Sequence, residues 1–204
     1  MSGQLDATLA RTEVFAQSVL SAIAPLKLRV ARSQQELEAV FRLRYEVVLH
    51  RGWGRPEDFP DTVERDAFDD HALQIGAWEG VELVGTTRLV PPHPGYCLPV
   101  EEAFGVELPR NCRVIDMGRT CRKPAIRDTG QRIFWGLLAK SWLESRALGF
   151  TEICGCFSSS VIRFYRRFGF RIEILGDART HWGEERFPVL VRPAEFVDGL
   201  RRPQ

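Results

Sequence analysis

The sequence predicts an α/β (α+β) fold with a mixed, mostly antiparallel central sheet of about seven strands flanked by helices. Three observations point there. The chain has 204 residues, enough for one well-buried domain and cramped for two. Its 44% hydrophobic and 27% charged residues are ordinary globular values and weigh against collagen-like, disordered and membrane-spanning classes. Segments that alternate apolar and polar residues interleave with segments of helical period, in the order strand, helix, strand, strand, strand, helix, strand, helix, strand, strand. That order builds a mixed sheet covered by helices.

Residues 1–25 are expected to form an N-terminal helical extension packed on the rest. Its apolar run from Val14 to Ala24 is too short to span a bilayer and lacks the basic cluster of a secretory leader, and Pro25 ends it. Residues 26–204 are expected to form a single domain. LKLRVA (26–31) alternates as a strand. Ser33 and Glu36 form a capping box, and Leu37, Val40, Phe41 and Val48 follow at helical spacing. A polar stretch from Arg51 to Asp70 precedes two strands, 72–78 and 83–90, turned at Glu79 to Glu82. A Pro-rich insertion with a short helix at 100–104 leads to a strand at 112–120. Phe134, Leu137, Leu138, Ser141 and Trp142 share one helix face, closed by Gly149. A strand at 151–157, a short helix at 160–168 and strands at 170–175 and 186–191 complete the chain.

Five cysteines, an odd count without a recognisable leader, argue against a disulfide framework and for a reducing, cytoplasmic compartment. Cys154 and Cys156 have no further ligands at suitable spacing, so they are expected as buried thiols without a metal. His50, His71, His93 and His181 are scattered along the sequence and receive no catalytic or metal role.

The net charge is +1, so no global field argues for nucleic acid. Locally the charge is segregated. Glu57 to Asp70 holds seven acids and one base, a balance of −6; Arg110 to Arg132 holds seven bases and two acids, a balance of +5. These are either two solvated loops or a site with one end for an amine and one for a phosphate or an acidic protein. Arg44 shares a helix face with Leu37, Phe41 and Val48, so it points where the core should be. A buried guanidinium needs a carboxylate. Asp66 and Asp69 are the nearest candidates, and such a pair is either structural or substrate-facing.

The element order resembles the GNAT acyltransferase fold. The segment Leu43-Arg44-Tyr45 with Gly52-Trp53, the Glu64-x-Asp66-x-Phe68-Asp69 run, Arg88 and Asp116-Met117-Gly118-Arg119 are similar, in order, to the signatures of acyl-homoserine-lactone (autoinducer) synthases and related N-acyl amino acid synthases. Asp116 stands where that family carries Glu. Arg127-x-x-Gly130-x-Arg132 resembles the loop by which CoA-dependent N-acetyltransferases grip pyrophosphate. The resemblance implies transfer of a fatty acyl group from an acyl-carrier-protein or acyl-CoA thioester to an amine, that of S-adenosylmethionine in lactone synthesis. It implies no tightly bound cofactor. The alternatives are an amino-acid or peptide amine as acceptor, a CoA-dependent acetyltransferase, and a non-catalytic binding protein on the same scaffold.

On this reading Asp116, Arg119 and Tyr165 are catalytic candidates. Asp116 is the base, directly or through water, unless it merely pairs with Arg119 or Arg88. Strand alternation puts Asp116 and Arg119 on opposite faces, unless Gly118 marks a bulge. Tyr165 stands near the leaving sulfur or in the core. Arg44, Trp53, Asp66, Asp69 and Arg88 would bind the acceptor. Met117, Gly118, Arg122, Arg127, Gly130 and Arg132 would bind the donor. Phe134, Leu138, Trp142 and Phe157 would line the acyl pocket.

Overall fold

The structure is a computed structural model that describes residues 2–109 and 113–200. Helix α1 (Ser2–Ala22) leads to strand β1 (Lys27–Val30) and helix α2 (Gln34–Arg51). Strands β2 (Leu73–Glu79) and β3 (Glu82–Val90), helix α3 (Pro99–Phe104), strand β4 (Val114–Arg122) and helix α4 (Arg132–Ala147) follow. Strand β5 (Glu152–Ser158), helix α5 (Ser159–Arg167) and strands β6 (Glu173–Ile174), β7 (Arg179–His181) and β8 (Glu184–Val191) complete the order. Helix α2 starts on the expected capping box, with Ser33 accepting from the Glu36 amide and Glu36 from the Ser33 amide. It stops at Gly52, whose φ of 67° is the left-handed C-cap that glycine adopts without penalty.

The described strands form one eight-stranded sheet, ordered β1-β2-β3-β4-β5-β8-β6, with β7 on β8. Every pairing is antiparallel except β4 with β5. One face carries α1, α4 and α5, and its core includes Ile75, Leu89, Ile115, Met117, Leu137 and Trp142. The other face carries α2 and α3 over two smaller clusters, around Val40 and Trp78 and around Val114 and Phe104.

Most strand ends fall within two residues of the sequence reading, and the larger differences lie in the last third of the chain. The segment 170–175 forms only the two-residue β6, because it pairs with β8 at Glu173 and Ile174 alone. The unforeseen β7 pairs with β8 across a two-residue turn, Trp182-Gly183. Cys112 and Arg110 lie outside the described residues. Cys154 is buried and Cys156 half-buried, and both are free. Among the described residues no helix is long and apolar enough to cross a membrane, and no cluster of His, Cys, Asp or Glu is placed to hold a metal ion.

Candidate active site

The site begins where the sheet parts. Strand β4 pairs with β5 only from Val114 opposite Glu152 to Asp116 opposite Cys154. Beyond that point β4 stays with β3, and β5 stays with β8 as far as Ser158 opposite Arg186. Gly155 sits at the fork. A Cβ there would lie 2.6 Å from the Met117 carbonyl oxygen, so a side chain would force the strands apart at the residue where they separate. The opening holds a cavity of about 160 Å³ that reaches both faces of the sheet: Phe134, Val161 and Tyr165 line it on one side, Trp53, Arg119 and Trp182 on the other.

Strand β4 bulges beside this cavity. Arg88 faces Gly118 and Thr86 faces Cys121, so β4 carries one residue more than β3 over the same step. Arg119 takes a φ of 55° and turns to the face of Asp116, as a bulge at Gly118 would require. There it joins a buried charge network. Arg44 forms a two-pronged pair with Asp69 at 2.8 and 3.0 Å and donates to Glu64. Arg88 donates to Asp66 at 2.6 Å and Asp69 at 2.9 Å. Arg119 donates to Glu64 at 3.1 Å and Asp66 at 2.9 Å. The Gln74 amide also donates to Asp69.

Three arginines thus meet three carboxylates: Arg44, Arg88, Glu64 and Asp69 are buried, while Arg119 and Asp66 stay partly exposed toward the cavity. Burial opposes the charge of Arg44, yet Asp69 and Glu64 hold its pKa above the usual value. Burial alone would raise Asp69, and Arg44 and Arg88 hold it well below the carboxylate range. Pairing and hydrogen bonding outweigh desolvation at Arg44, Arg88 and Asp69, whereas at Arg119 burial and the neighbouring arginines outweigh Glu64 and Asp66 and hold the guanidinium below its usual value.

Asp116 stands apart from this network. The sequence left open a pair with Arg119 or Arg88, but both guanidinia are engaged by Glu64, Asp66 and Asp69. Asp116 instead accepts from the Val100 amide at 3.0 Å and faces the Cys154 thiol at 3.7 Å. Burial pushes its carboxyl up to about 6, against the pull of Arg88, the Val100 amide, Cys154 and Arg119. A carboxylate of that basicity suits proton abstraction near neutral pH.

On the other face Tyr165 stacks on Phe157 with centroids 5.1 Å apart. Burial pushes its hydroxyl up, so it stays protonated. A second, apolar cavity of about 80 Å³ lies behind it, lined by Leu138, Trp142, Ile153 and Phe157. Met117, Phe157 and Tyr165 line both cavities. A third cavity, of about 410 Å³, shares Arg88, Pro99, Arg119 and His181 with the first and is also lined by His71, His93 and Tyr96.

A family model described as N-acyl amino acid synthase FeeM matches residues 39–190. The chain belongs to this family. It is 28% identical over 156 residues to an L-ornithine N(alpha)-acyltransferase of Brucella abortus (strain 2308), a match covering 69% of this chain. The chain spans about half the length of that relative, 55%. Solved structures share the fold. TofI, in a ternary complex with an inhibitor and MTA, superposes with a TM-score of 0.65 at 22% identity, over 82% of this chain and 90% of that one. The CoA-dependent acyl-homoserine lactone synthase MesI gives 0.61 at 26% identity, over 81% and 88%. FeeM itself, an N-acyl amino acid synthase from uncultured soil microbes, gives 0.58 at 14% identity, over 82% and 90%.

The FeeM-family segment contains the whole fork, from Arg44 to Arg186. Arg44, Arg88, Asp66 and Asp69 come together as one network, and Trp53, Asp116, Met117, Gly118, Arg119 and Tyr165 line the cavity beside it. Phe134 lines the first cavity, while Leu138 and Trp142 line the second. The basic loop is more dispersed. Arg122 donates to the Ile126 carbonyl and Arg127 is exposed. Arg132 turns to the end of α1, donating to the Ile23 and Ala24 carbonyls. Gly130 lies in the turn Thr129–Gln131 before α4. Asp128 occupies the start of α4, accepting from the Ile133 and Phe134 amides.

Sequence reasoning missed the β7–β8 hairpin. Trp182 and Gly183 have φ of 50° and 66°, as a tight two-residue hairpin turn demands. The tip lies over the cavity. The Arg119 guanidinium sits 4.4 Å from the Trp182 ring centroid, and a Cβ on Gly183 would be 2.7 Å from Trp53. Arg186 lies 5.0 Å from the Trp53 ring and donates to the His181 carbonyl. His181, given no role from sequence, lines the cavity, and burial with Arg119 and Arg186 nearby lowers it to about 4. His71 and His93, far apart in sequence, stack with centroids 4.3 Å apart. The Trp-Gly pair before an alternating strand was the available signal.

Proposed function

We propose that the chain transfers a fatty acyl group from a thioester to the amine of an amino acid. The observation that carries this is the cavity through the forked sheet, with Asp116 between a charged, aromatic side and an apolar one. The acyl tail enters the apolar side along Phe134 toward Leu138, Trp142 and Phe157. The donor is an acyl-carrier-protein or CoA thioester whose phosphate meets the exposed loop of Arg122 and Arg127. Asp128 already holds two amides at the start of α4, so side chains rather than those amides carry the phosphate.

The amine enters from the side of Trp53 and Arg119. Asp116 takes its proton, directly or through water, and the nitrogen lone pair attacks the thioester carbonyl carbon. Amides of β4 beyond Asp116, which no longer face β5, stabilise the oxyanion. The C–S bond then breaks with the Tyr165 hydroxyl as a hydrogen-bond donor to the sulfur, and the departing thiolate takes up the second proton from the nitrogen, leaving the amide and a free thiol. Arg44, Arg88 and Arg119 are each matched to carboxylates. Arg186 meets a single described carboxylate, the part-exposed Glu184 at 3.5 Å, which suits it to the carboxylate of an amino-acid acceptor.

The likeness to acyl-homoserine lactone synthases favours a second reading, with S-adenosylmethionine as the acceptor. Free-thiol release and product mass spectrometry decide between them, with acyl-CoA or acyl-carrier-protein offered against ornithine, other amino acids and S-adenosylmethionine. An N-acyl amino acid is expected, and Arg186→Gln should raise the KM for the amino acid but not for its methyl ester. An acyl lactone would establish the second reading. Thiol release at background with every pairing would refute both.

A further inference from the structure

The apolar cavity is closed from below by a helix outside the family match, which begins at residue 39. Helix α1 presents Thr12, Phe15, Ala16 and Val19 to it, positions that share one helical face. This floor is anchored. The Trp142 indole donates to Thr12 at 2.8 Å, and Thr12 donates to the Leu9 carbonyl. Glu13 pairs with Arg146 at 2.9 Å, and Arg132 holds the carbonyls of Ile23 and Ala24. Two ties from α4 to the middle turn of α1 and a third to the chain just past its end make α1 a fixed wall rather than a lid.

We infer that α1 gauges the acyl chain, with Ala16 setting the depth that a long chain can reach. The inference rests on the acyl-transfer reading and adds the determinant of chain length. A chain bound at the fork runs past Met117, Phe157 and Tyr165, the residues common to both cavities. Met117 is the adaptable member, since its thioether side chain has three rotatable bonds. Past it the chain meets Ala16, the smallest side chain of the α1 face, buried at 3% exposure. A larger residue there occupies volume meant for terminal methylenes. A smaller neighbour deepens the pocket.

The test compares palmitoyl and hexanoyl thioesters, on CoA and on carrier protein, in the full chain. Ala16→Leu should lower the palmitoyl-to-hexanoyl ratio of kcat/KM by about 60-fold, the loss expected when the three carbons that leucine adds deny burial to about three methylenes. Ala16→Val should lower it less, and Phe15→Ala should raise it. Binding of a fluorescent fatty acid should weaken in the same order, which reads the pocket without turnover. Melting temperatures confirm that each variant is folded. A ratio unmoved in all three folded variants, or an equal fall for both donors, overturns the gauge. If the wild type transfers no acyl group but Ala16→Leu still loses fatty-acid binding, the gauge stands and the enzymatic reading falls.

Discussion

Replacing Asp116 with Asn separates a base from a structural carboxylate, because the two roles move stability in opposite directions. Burial shifts this carboxyl from an ordinary 3.8 to about 6. At about 1.36 kcal/mol per tenfold change in acidity, that costs the folded state roughly 3 kcal/mol at neutral pH. The folded chain holds this proton more tightly than the unfolded chain, so its contribution is favourable below about pH 4 and is lost as pH rises through about 6. Asparagine keeps the acceptor for the Val100 amide and removes the buried charge. The variant should therefore melt at or above the wild-type temperature at pH 8, at about 2–4 °C per kcal/mol recovered. The difference should disappear at pH 4. Turnover should fall roughly 10²–10⁴-fold. The wild-type kcat/KM should rise with pH through about 6 and then level, and the variant should lack that limb. Thiol release and thermal melting on one preparation across pH 4–8 measure both quantities. Normal turnover, or a lower melting temperature at pH 8, would refute the assignment.

Asp69→Asn should destabilise by about 3–5 kcal/mol, since it leaves Arg44 and Arg88 short of a buried partner; denaturant unfolding reads this. Asp69 is held below its ordinary range by Arg44 and Arg88, so its stabilisation is present above about pH 4 and is lost as pH falls further. Asp66→Asn frees part of Arg88 and Arg119 beside Asp116, so the acid limb of the pH–rate profile should move to lower pH. Gly155→Ala should cost about 1–3 kcal/mol through overpacking against Met117 and lower kcat by displacing the fork, both measurable on the purified variant. Arg127→Glu should raise the donor KM at low salt, with the effect shrinking as ionic strength screens exposed charges beyond about 10 Å at 0.1 M.

Much of the architecture is written in local patterns. The Ser33–Glu36 capping box, the alternation of β2 and β3 and the apolar face of α4 depend on near neighbours, so the sequence states them directly. Arg44 was legible for a different reason: a guanidinium on an apolar helix face needs a buried anion, and Asp69 is that anion. Glu64, its other partner, stood in the same acidic run and in the family-like motif, but nothing in its spacing named it as a partner of Arg44. The bulge at Gly118 was legible as a geometric requirement for bringing Arg119 to the face of Asp116. Trp182 over Arg119 was not, because the two meet only after β8 pairs beside β5. The roles of Arg132 and Asp128 were also hidden. A basic residue in a loop before a helix reads as an anion ligand, whereas here Arg132 serves the end of α1 and Asp128 supplies the helix start with its own anion.

The charge network and Asp116, the base proposed above, are two parts of one electrostatic arrangement. Three arginines packed beside one cavity would depress any nearby carboxylate, because an opposite charge within a few ångströms favours the ionised form. A base paired that way would be too weak to take a proton from an ammonium near neutral pH. Here Glu64, Asp66 and Asp69 engage the guanidinia instead. Asp116, on the same face, is left with an amide and a thiol. Neutral partners stabilise its charge less than burial opposes it, and its acidity falls to the useful range. The bulge is what permits this. With regular alternation Arg119 would point to the α4 face, Glu64 and Asp66 would lose a partner, and their surplus charge would raise Asp116 further while leaving the network unsatisfied. One inserted residue in β4 thus sets both the stability of the acidic segment and the basicity of the carboxylate beside it.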